Sequence, residues 1–175
     1  MGFIWYNLFY KMSTELYQNW KEKSKDYVTQ NKAFYQQLRK KKKLDDEFHE
    51  LDAKVFEKMD CLDCANCCKT TSPIFQQSDI ERVSKALKMK VPEFIETYLH
   101  IDEDQDYVLN SAPCPFLGYD NKCIVYKNRP TACREYPHTN RKRMHQILKK
   151  TFKNAEVCPA VYEILERMKA REVRS

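Results

Sequence analysis

Apolar residues recur at helical spacing through the first third of the chain. They follow one another mostly at steps of three, four and seven residues, which places them on one face of a helix. The first stripe contains Leu16, Trp20, Tyr27, Phe34 and Leu38. The second stripe contains Leu44, Phe48, Leu51, Val55 and Met59. We therefore predict a long amphipathic helical segment over residues 1–59.

The basic run Arg39-Lys40-Lys41-Lys42-Lys43 separates the two stripes. The pattern leaves open whether one long helix continues through this run or two helices are joined near Lys41. Such a run can contact nucleic acid or anionic lipid, but it is more typical of a solvated helix face or a connector. We interpret it as solvated.

Short elements follow the first group of cysteines. Ser78 and Glu81 have the spacing of a capping box, so we expect a helix to begin after Ser78 and to end near Met89. Pro92 should then occupy the first position of another helix. Farther along, Pro130 should begin a short helix that ends before Pro137.

Two short apolar runs, residues 107–109 and 123–126, are predicted to be strands because they combine β-branched and aromatic residues. Turn residues precede the second run. We expect the two runs to form a small β-hairpin that carries Cys114 and Cys123 near its ends. The chain has only two glycines, which favours helices elsewhere.

Eight cysteines carry the most specific chemistry in the sequence. Four of them fall within eight residues, and the complete set is Cys61, Cys64, Cys67, Cys68, Cys114, Cys123, Cys133 and Cys158. Cysteines separated by two residues can turn both sulfurs toward one metal ion, while nearby backbone N–H groups stabilise the thiolate charge. We predict that all eight thiols are metal ligands.

Spacing alone leaves the metal open between zinc and iron. Ferredoxin-type Fe–S clusters use the same C-x2-C-x2-C run with a later Cys-Pro pair, and such pairs begin here at Cys114 and Cys158. Zinc ribbons also use C-x2-C, but as two separate knuckles, and the second knuckle is missing here. Neighbouring side chains diverge, so Cys67 and Cys68 serve different metals or one of them is a spare thiol.

Four disulfides are the main alternative use of eight cysteines. We favour metal because no secretory signal peptide is visible and a chain of 175 residues can bury a core without disulfides. The apolar segment at residues 1–12 is too short for a transmembrane helix, which needs about 20 residues. We therefore predict a mainly α fold with a small β-hairpin: a metal-organised cysteine-cluster domain with a C-terminal helix at 60–175, preceded by the helical segment 1–59.

The net charge of +6 is distributed unevenly. Residues 136–175 carry ten basic and four acidic side chains, whereas residues 61–135 carry nine and eleven. A basic tail can meet nucleic acid or another acidic partner. A solvated helix face is the commoner reason for such a tail, so we expect no nucleic-acid partner and leave a protein partner open.

The motifs together resemble a known family. The quoted elements are Cys61-x2-Cys-x2-Cys-Cys68, Cys114-Pro-Phe-Leu117, Cys123-Ile-Val-Tyr126, Arg129-Pro130, Cys133-Arg134-x-Tyr-Pro137 and Cys158-Pro159. In order and spacing this set is similar to the CxxCxxCC cysteine-cluster proteins of the YkgJ group, over about residues 58–162. The resemblance implies a zinc- or iron-chelating domain in the bacterial cytoplasm. A similar domain occurs in flagellin lysine methylases.

Clustered thiolates need positive charge nearby, because four of them leave a net charge of −2 on one Zn²⁺. We assign Arg129 and Arg134 to this charge compensation or to binding a substrate anion; the alternative is two surface arginines. Three functions stay open: a zinc or iron protein that contacts a partner, an Fe–S protein in electron transfer or in support of a modifying enzyme, and protein-lysine methylation by analogy.

Overall fold

A computed structural model describes residues 19–173 of the chain. Helices supply most of its regular structure. From Tyr27 onward they are α1 (Tyr27–Gln30), α2 (Lys32–Lys40), α3 (Leu44–Phe56), α4 (Cys61–Cys64), α5 (Asn66–Thr70), α6 (Gln77–Ala86), α7 (Val91–Tyr98), α8 (Thr131–Glu135), α9 (Met144–Asn154) and α10 (Pro159–Glu172), with a 3₁₀ turn at Tyr126–Asn128. The strands are β1 (Ile74–Phe75), β2 (Leu99–Ile101) and β3 (Tyr107–Leu109). The predictions for segment 1–12 and for Leu16 lie outside the described residues.

The described chain forms two compact units. The first unit contains residues 19–63 and 137–173, and the second unit contains residues 64–136. The sequence predicts a cysteine-cluster domain at 60–175 that includes the C-terminal helix. In the structure α10 lies in the first unit and packs against α3 and α9.

The core of the first unit is aromatic at its centre. Phe152 on α9 is fully buried, and its ring lies 5.8 Å from Tyr27, 5.8 Å from Phe34 and 5.3 Å from Tyr35 between ring centroids. The predicted stripe residues confirmed as buried are Trp20, Tyr27, Phe34, Leu38, Leu44, Phe48, Leu51 and Val55. Hydrophobic burial of these two stripes holds α1, α2 and α3 against the C-terminal helices.

The N-terminal region is not one long amphipathic helix. Lys41 leaves α2 in an extended conformation, and Lys43 has a left-handed φ of 58°, so the helix stops and restarts across the basic run. The physical reason is phase: Leu38 and Leu44 are six residues apart, which puts them about 120° apart around a continuous helix. A break is needed to bring both side chains into one core. A further left-handed residue, Asp26, precedes α1.

The second unit is built on a three-stranded antiparallel sheet of order β1-β3-β2. Val108 at its centre pairs with Ile74 on one side and with His100 on the other. Helices α6 and α7 pack beside the sheet. The buried core between them contains Phe75, Ile80, Val83, Phe94, Leu99, Leu109, Phe116 and Val125.

The predicted hairpin partner is wrong. Residues 107–109 do form a strand, but residues 123–126 form only an isolated bridge, between Leu117 and Cys123, and a 3₁₀ turn. Strand β3 pairs instead with β2, across a short turn. The Asp102 carboxylate closes this turn because it accepts the backbone N–H groups of Asp104 and Asp106, each at 3.0 Å. This local closure makes β2 the nearest partner.

The predicted cap of α6 also needs correction. The helix begins two residues earlier, with Gln76 rather than Ser78 as its N-cap. Asp79, not Glu81, reaches back and accepts the Gln76 backbone N–H at 3.2 Å. The start of the helix after Pro130 is confirmed at α8. No helix in the part of the chain described is both long and apolar enough to cross a bilayer.

Candidate metal site

All eight cysteines lie within the described residues, and none of them forms a disulfide. Cys61 and Cys64 are the ends of α4, and Cys67 and Cys68 lie in α5. Cys114 and Cys123 occupy the long loop that follows β3, and Cys133 lies in α8. Cys158 belongs to the first unit, where it is buried as the N-cap of α10.

The second unit brings four of the predicted ligands into one neighbourhood. Cys68, Cys114 and Cys123 lie close enough to Cys133 for their negative charge to act on its thiol. Burial, with this added repulsion, raises the pKa of Cys133 to about 12. These four thiols come from three separate stretches of sequence, so folding gathers them.

The four thiols differ in their tendency to ionise. A hydrogen bond from the Cys67 thiol lowers the pKa of Cys68 to about 7, and the charge of Lys69 helps. Burial raises the pKa of Cys114 to about 11 and also raises that of Cys123. The group therefore combines one readily ionised sulfur with sulfurs that lose their protons when a cation compensates the charge.

Backbone N–H groups point at two of the sulfurs. That of Phe116 donates a hydrogen bond to the Cys114 thiol, and that of Val125 donates one to the Cys123 thiol. Each donor lies two residues after its cysteine, and the turn at Cys114 is closed by the Leu117 N–H, which donates to the Cys114 carbonyl at 3.0 Å. The bonds to sulfur favour the thiolate over the thiol, and they are what a metal-bound thiolate requires.

The loop between these two cysteines is held shut by backbone hydrogen bonds. Ile124 donates its N–H to the carbonyl of Phe116 at 2.9 Å, and Gly118 donates to Lys122 at 2.8 Å. At the start of this loop, the backbone N–H of Cys114 donates to the carbonyl of Cys68 at 2.8 Å. This last bond ties the loop directly to α5 and thereby positions two predicted ligands against each other.

The two predicted arginines have different environments. The positive charge of Arg129 lowers the pKa of both Cys123 and Cys133, against the opposing effect of burial. Its guanidinium stacks on the Tyr126 ring at 3.9 Å and donates to the Tyr126 carbonyl at 2.8 Å. Arg134 is exposed and donates to the Thr131 hydroxyl at 2.9 Å. Of the two arginines, Arg129 is therefore the one seen to act on the thiols.

Comparison with known protein families gives one match. Residues 60–159 match the family model CxxCxxCC, described as "Putative zinc- or iron-chelating domain". The chain belongs to this family. The matched stretch covers more than half of the chain and contains every cysteine. No curated protein and no solved structure matched the chain significantly.

The donor chemistry of the CxxCxxCC domain fits a thiophilic metal, but the ligands are not already at bonding distance. Among residues 19–173, no three Cys, His, Asp or Glu side chains are arranged closely enough to hold an ion. Zinc and iron both bind thiolates, and their site would be supported here by the clustered thiols, by the amide N–H groups that donate to sulfur and by the nearby Arg129.

One buried ion pair in the CxxCxxCC domain was not predicted from the sequence. Asp79 on α6 is fully buried and forms an ion pair with Arg82. Arg82 donates to the carbonyls of Asn128 at 3.2 Å and Arg129 at 3.1 Å. The pair thus fixes the segment that leads to Cys133. The sequence signal was an Asp-x-x-Arg step on a helix, which elsewhere is usually a surface pair.

Proposed function

We propose that the second unit binds a zinc or iron ion through the thiolates of Cys68, Cys114, Cys123 and Cys133. The observation that carries this proposal is the convergence of the four thiols, two of which already accept backbone N–H hydrogen bonds. The metal, when bound, supplies the positive charge that lets four half-buried sulfurs lose their protons together. Binding is then coupled to the folding of the loops.

The chain provides the rest of the charge balance. Four thiolates around one Zn²⁺ leave a net charge of −2. Arg129 lies within electrostatic reach of Cys123 and Cys133, and Lys69 lies within reach of Cys68. These cations, with the amide donors, oppose the mutual repulsion of the sulfurs. Arg134 is exposed, and its proposed role is to meet an anion at the edge of the site.

The remaining predicted ligands set the number of metal ions. Cys67 donates to Cys68, so it is available as an alternative or additional sulfur. Cys61, Cys64 and Cys158 also stay predicted ligands. A stoichiometry of one metal ion per chain supports the four-thiol site alone, whereas two per chain supports the use of all eight cysteines.

Metal analysis of anaerobically purified protein, together with a visible spectrum, tests the proposal. Zinc predicts a colourless protein with one or two zinc ions per chain. An Fe–S cluster, which would favour electron transfer or support of a modifying enzyme, predicts acid-labile sulfide and a broad absorption at about 400 nm. Protein that contains neither metal, and takes up neither Zn²⁺ nor Fe²⁺ under reducing conditions, contradicts the proposal.

Single Cys→Ser variants separate ligands from other thiols. Cys114→Ser and Cys133→Ser should each lower the metal-to-protein ratio and weaken binding by at least about tenfold. Cys158→Ser, in the first unit, is the comparison: an unchanged metal-to-protein ratio there limits the ligands to the second unit, and a lowered ratio supports the use of all eight cysteines. Metal content in Cys114→Ser and Cys133→Ser equal to that of the unaltered protein would contradict the four-thiol site.

A further inference from the structure

One surface of the first unit carries charge that the metal site does not explain. Between residues 136 and 155 the chain has six basic side chains and no acidic one. They are Arg141, Lys142, Arg143, Lys149, Lys150 and Lys153, and all six are exposed. The last three lie on α9, whose opposite side is buried through Met144, Leu148, Thr151 and Phe152.

The packing of the first unit extends this charge to a second helix. Helix α2 packs against α9, with Phe34 and Tyr35 on Phe152. The stretch from Lys32 to Lys43 also has six basic side chains and no acidic one. On α2 itself the exposed cations are Lys32, Arg39 and Lys40. The basic run from the sequence analysis therefore ends a helix that lies next to another cationic helix.

These cations differ from those on the neighbouring helices. On α3 and α10 each basic side chain is paired with a carboxylate, as Lys54 is with Glu50 and Arg171 is with Glu50. In contrast, none of the nine cations named on α2, α9 and residues 141–143 forms an ion pair with a described acidic side chain. Unpaired like charges repel one another and do not stabilise the fold.

The outward side of α9 has no exposed apolar anchor. His145, Gln146, Lys149, Lys150 and Lys153 are the exposed positions. Stable protein interfaces depend on buried aromatic or aliphatic anchors, and interfacial membrane helices insert an apolar face. Binding to a nucleic-acid backbone, in contrast, needs only cations whose spacing matches that of the phosphates. Lys149 and Lys153 are about 6 Å apart along the helix, a spacing that suits successive phosphates.

We propose that the exposed cations of α2, of α9 and of residues 141–143, which we call the α2–α9 surface, bind the phosphate backbone of nucleic acid without sequence preference. The contacts would be phosphate contacts from lysine and arginine, with no base recognition. This binding site is independent of the thiol site, so neither proposal depends on the other. It also revises the sequence-based expectation, which treated the basic tail and the run at residues 39–43 as solvated.

Fluorescence anisotropy with a labelled DNA duplex of about 20 base pairs tests the proposal, using the full chain over a range of salt concentrations. The test variant replaces Lys149, Lys150 and Lys153 with Gln. The control variant replaces Lys58, Lys85 and Lys90 with Gln. These three lysines are also exposed, and replacing them lowers the net charge by the same amount. Circular dichroism and thermal unfolding establish that both variants are folded.

We expect the test variant to bind the duplex at least about tenfold more weakly than the unaltered protein. The slope of the logarithm of the binding constant against the logarithm of salt concentration should be smaller in magnitude by up to about 2.7. The control variant should bind within about threefold of the unaltered protein. Equal weakening in both variants would reduce the effect to net charge and overturn the proposal. So would the absence of duplex binding at low salt, or equal displacement by poly-glutamate or anionic vesicles at the same charge concentration.

Discussion

Thr131 donates both its backbone N–H and its hydroxyl to one carboxylate oxygen of Asp79, at 3.1 and 3.0 Å. Asp79 lies on α6, and Thr131 is the first residue of α8, two residues before Cys133. The contact therefore joins two distant parts of the sequence at a fully buried carboxylate. It determines where the helix carrying a predicted ligand begins.

Removing this carboxylate should destabilise the second unit. Asp79→Ala leaves Arg82 and the Thr131 donors without their acceptor, and we expect a loss of about 3 kcal/mol in the free energy of unfolding. Urea denaturation followed by circular dichroism measures it. The control is Glu96→Ala, an exposed carboxylate on α7, which should change stability by less than about 0.5 kcal/mol. A similar small change for both variants would contradict the structural role of Asp79.

The same contacts predict a pH dependence. Burial alone would raise the pKa of Asp79, but hydrogen bonds from Arg82, Gln76 and Thr131 outweigh it and hold the pKa below its usual range. A depressed carboxyl pKa contributes stability above the unfolded-state value and loses it as the pH falls through the folded-state value. The stability difference between the unaltered protein and Asp79→Asn should therefore shrink between about pH 5 and pH 2. A difference that stays constant over this range would show that the Asp79 charge is not the cause.

Metal removal should affect the two units differently. Structural zinc contributes about 10–16 kcal/mol in small peptides, which is comparable with the total stability of a domain at about 5–15 kcal/mol. We expect a chelator to open residues 64–136 to limited proteolysis while the helices of the first unit stay protected. Mass spectrometry of the fragments locates the cleavage sites. An unchanged digestion pattern, after metal loss has been verified, would argue against a structural metal.

The aromatic core of the first unit gives a metal-independent prediction. Phe152→Ala removes a fully buried ring that contacts Tyr27, Phe34 and Tyr35, so we expect a loss of about 3–5 kcal/mol. Thermal unfolding in the presence and absence of chelator should give the same loss. Tyr119→Ala is the control because its side chain is completely exposed. A loss confined to the metal-loaded protein would contradict the assignment of this core.

Several features could be predicted from local patterns alone. The buried positions Phe34, Leu38, Leu44 and Phe48 follow helical periodicity, because a helix presents one side to the core at regular intervals. The start of α8 after Pro130 follows from the fixed φ of proline. The spacing of the cysteines indicates the family, and the family model that matches residues 60–159 confirms it. Each of these signals lies within a short window of sequence.

Only the tertiary structure decided which distant groups meet. No local pattern indicates that β3 pairs with β1 and β2, that Asp79 is buried against Thr131, or that α2 packs on α9. The sequence determined which residues are helical, apolar, thiol-bearing or basic, because those properties belong to single residues and their near neighbours. Which of them share a core, a thiol cluster or a charged surface depends on competing long-range contacts, whose free energies are decided by the packing of the whole unit.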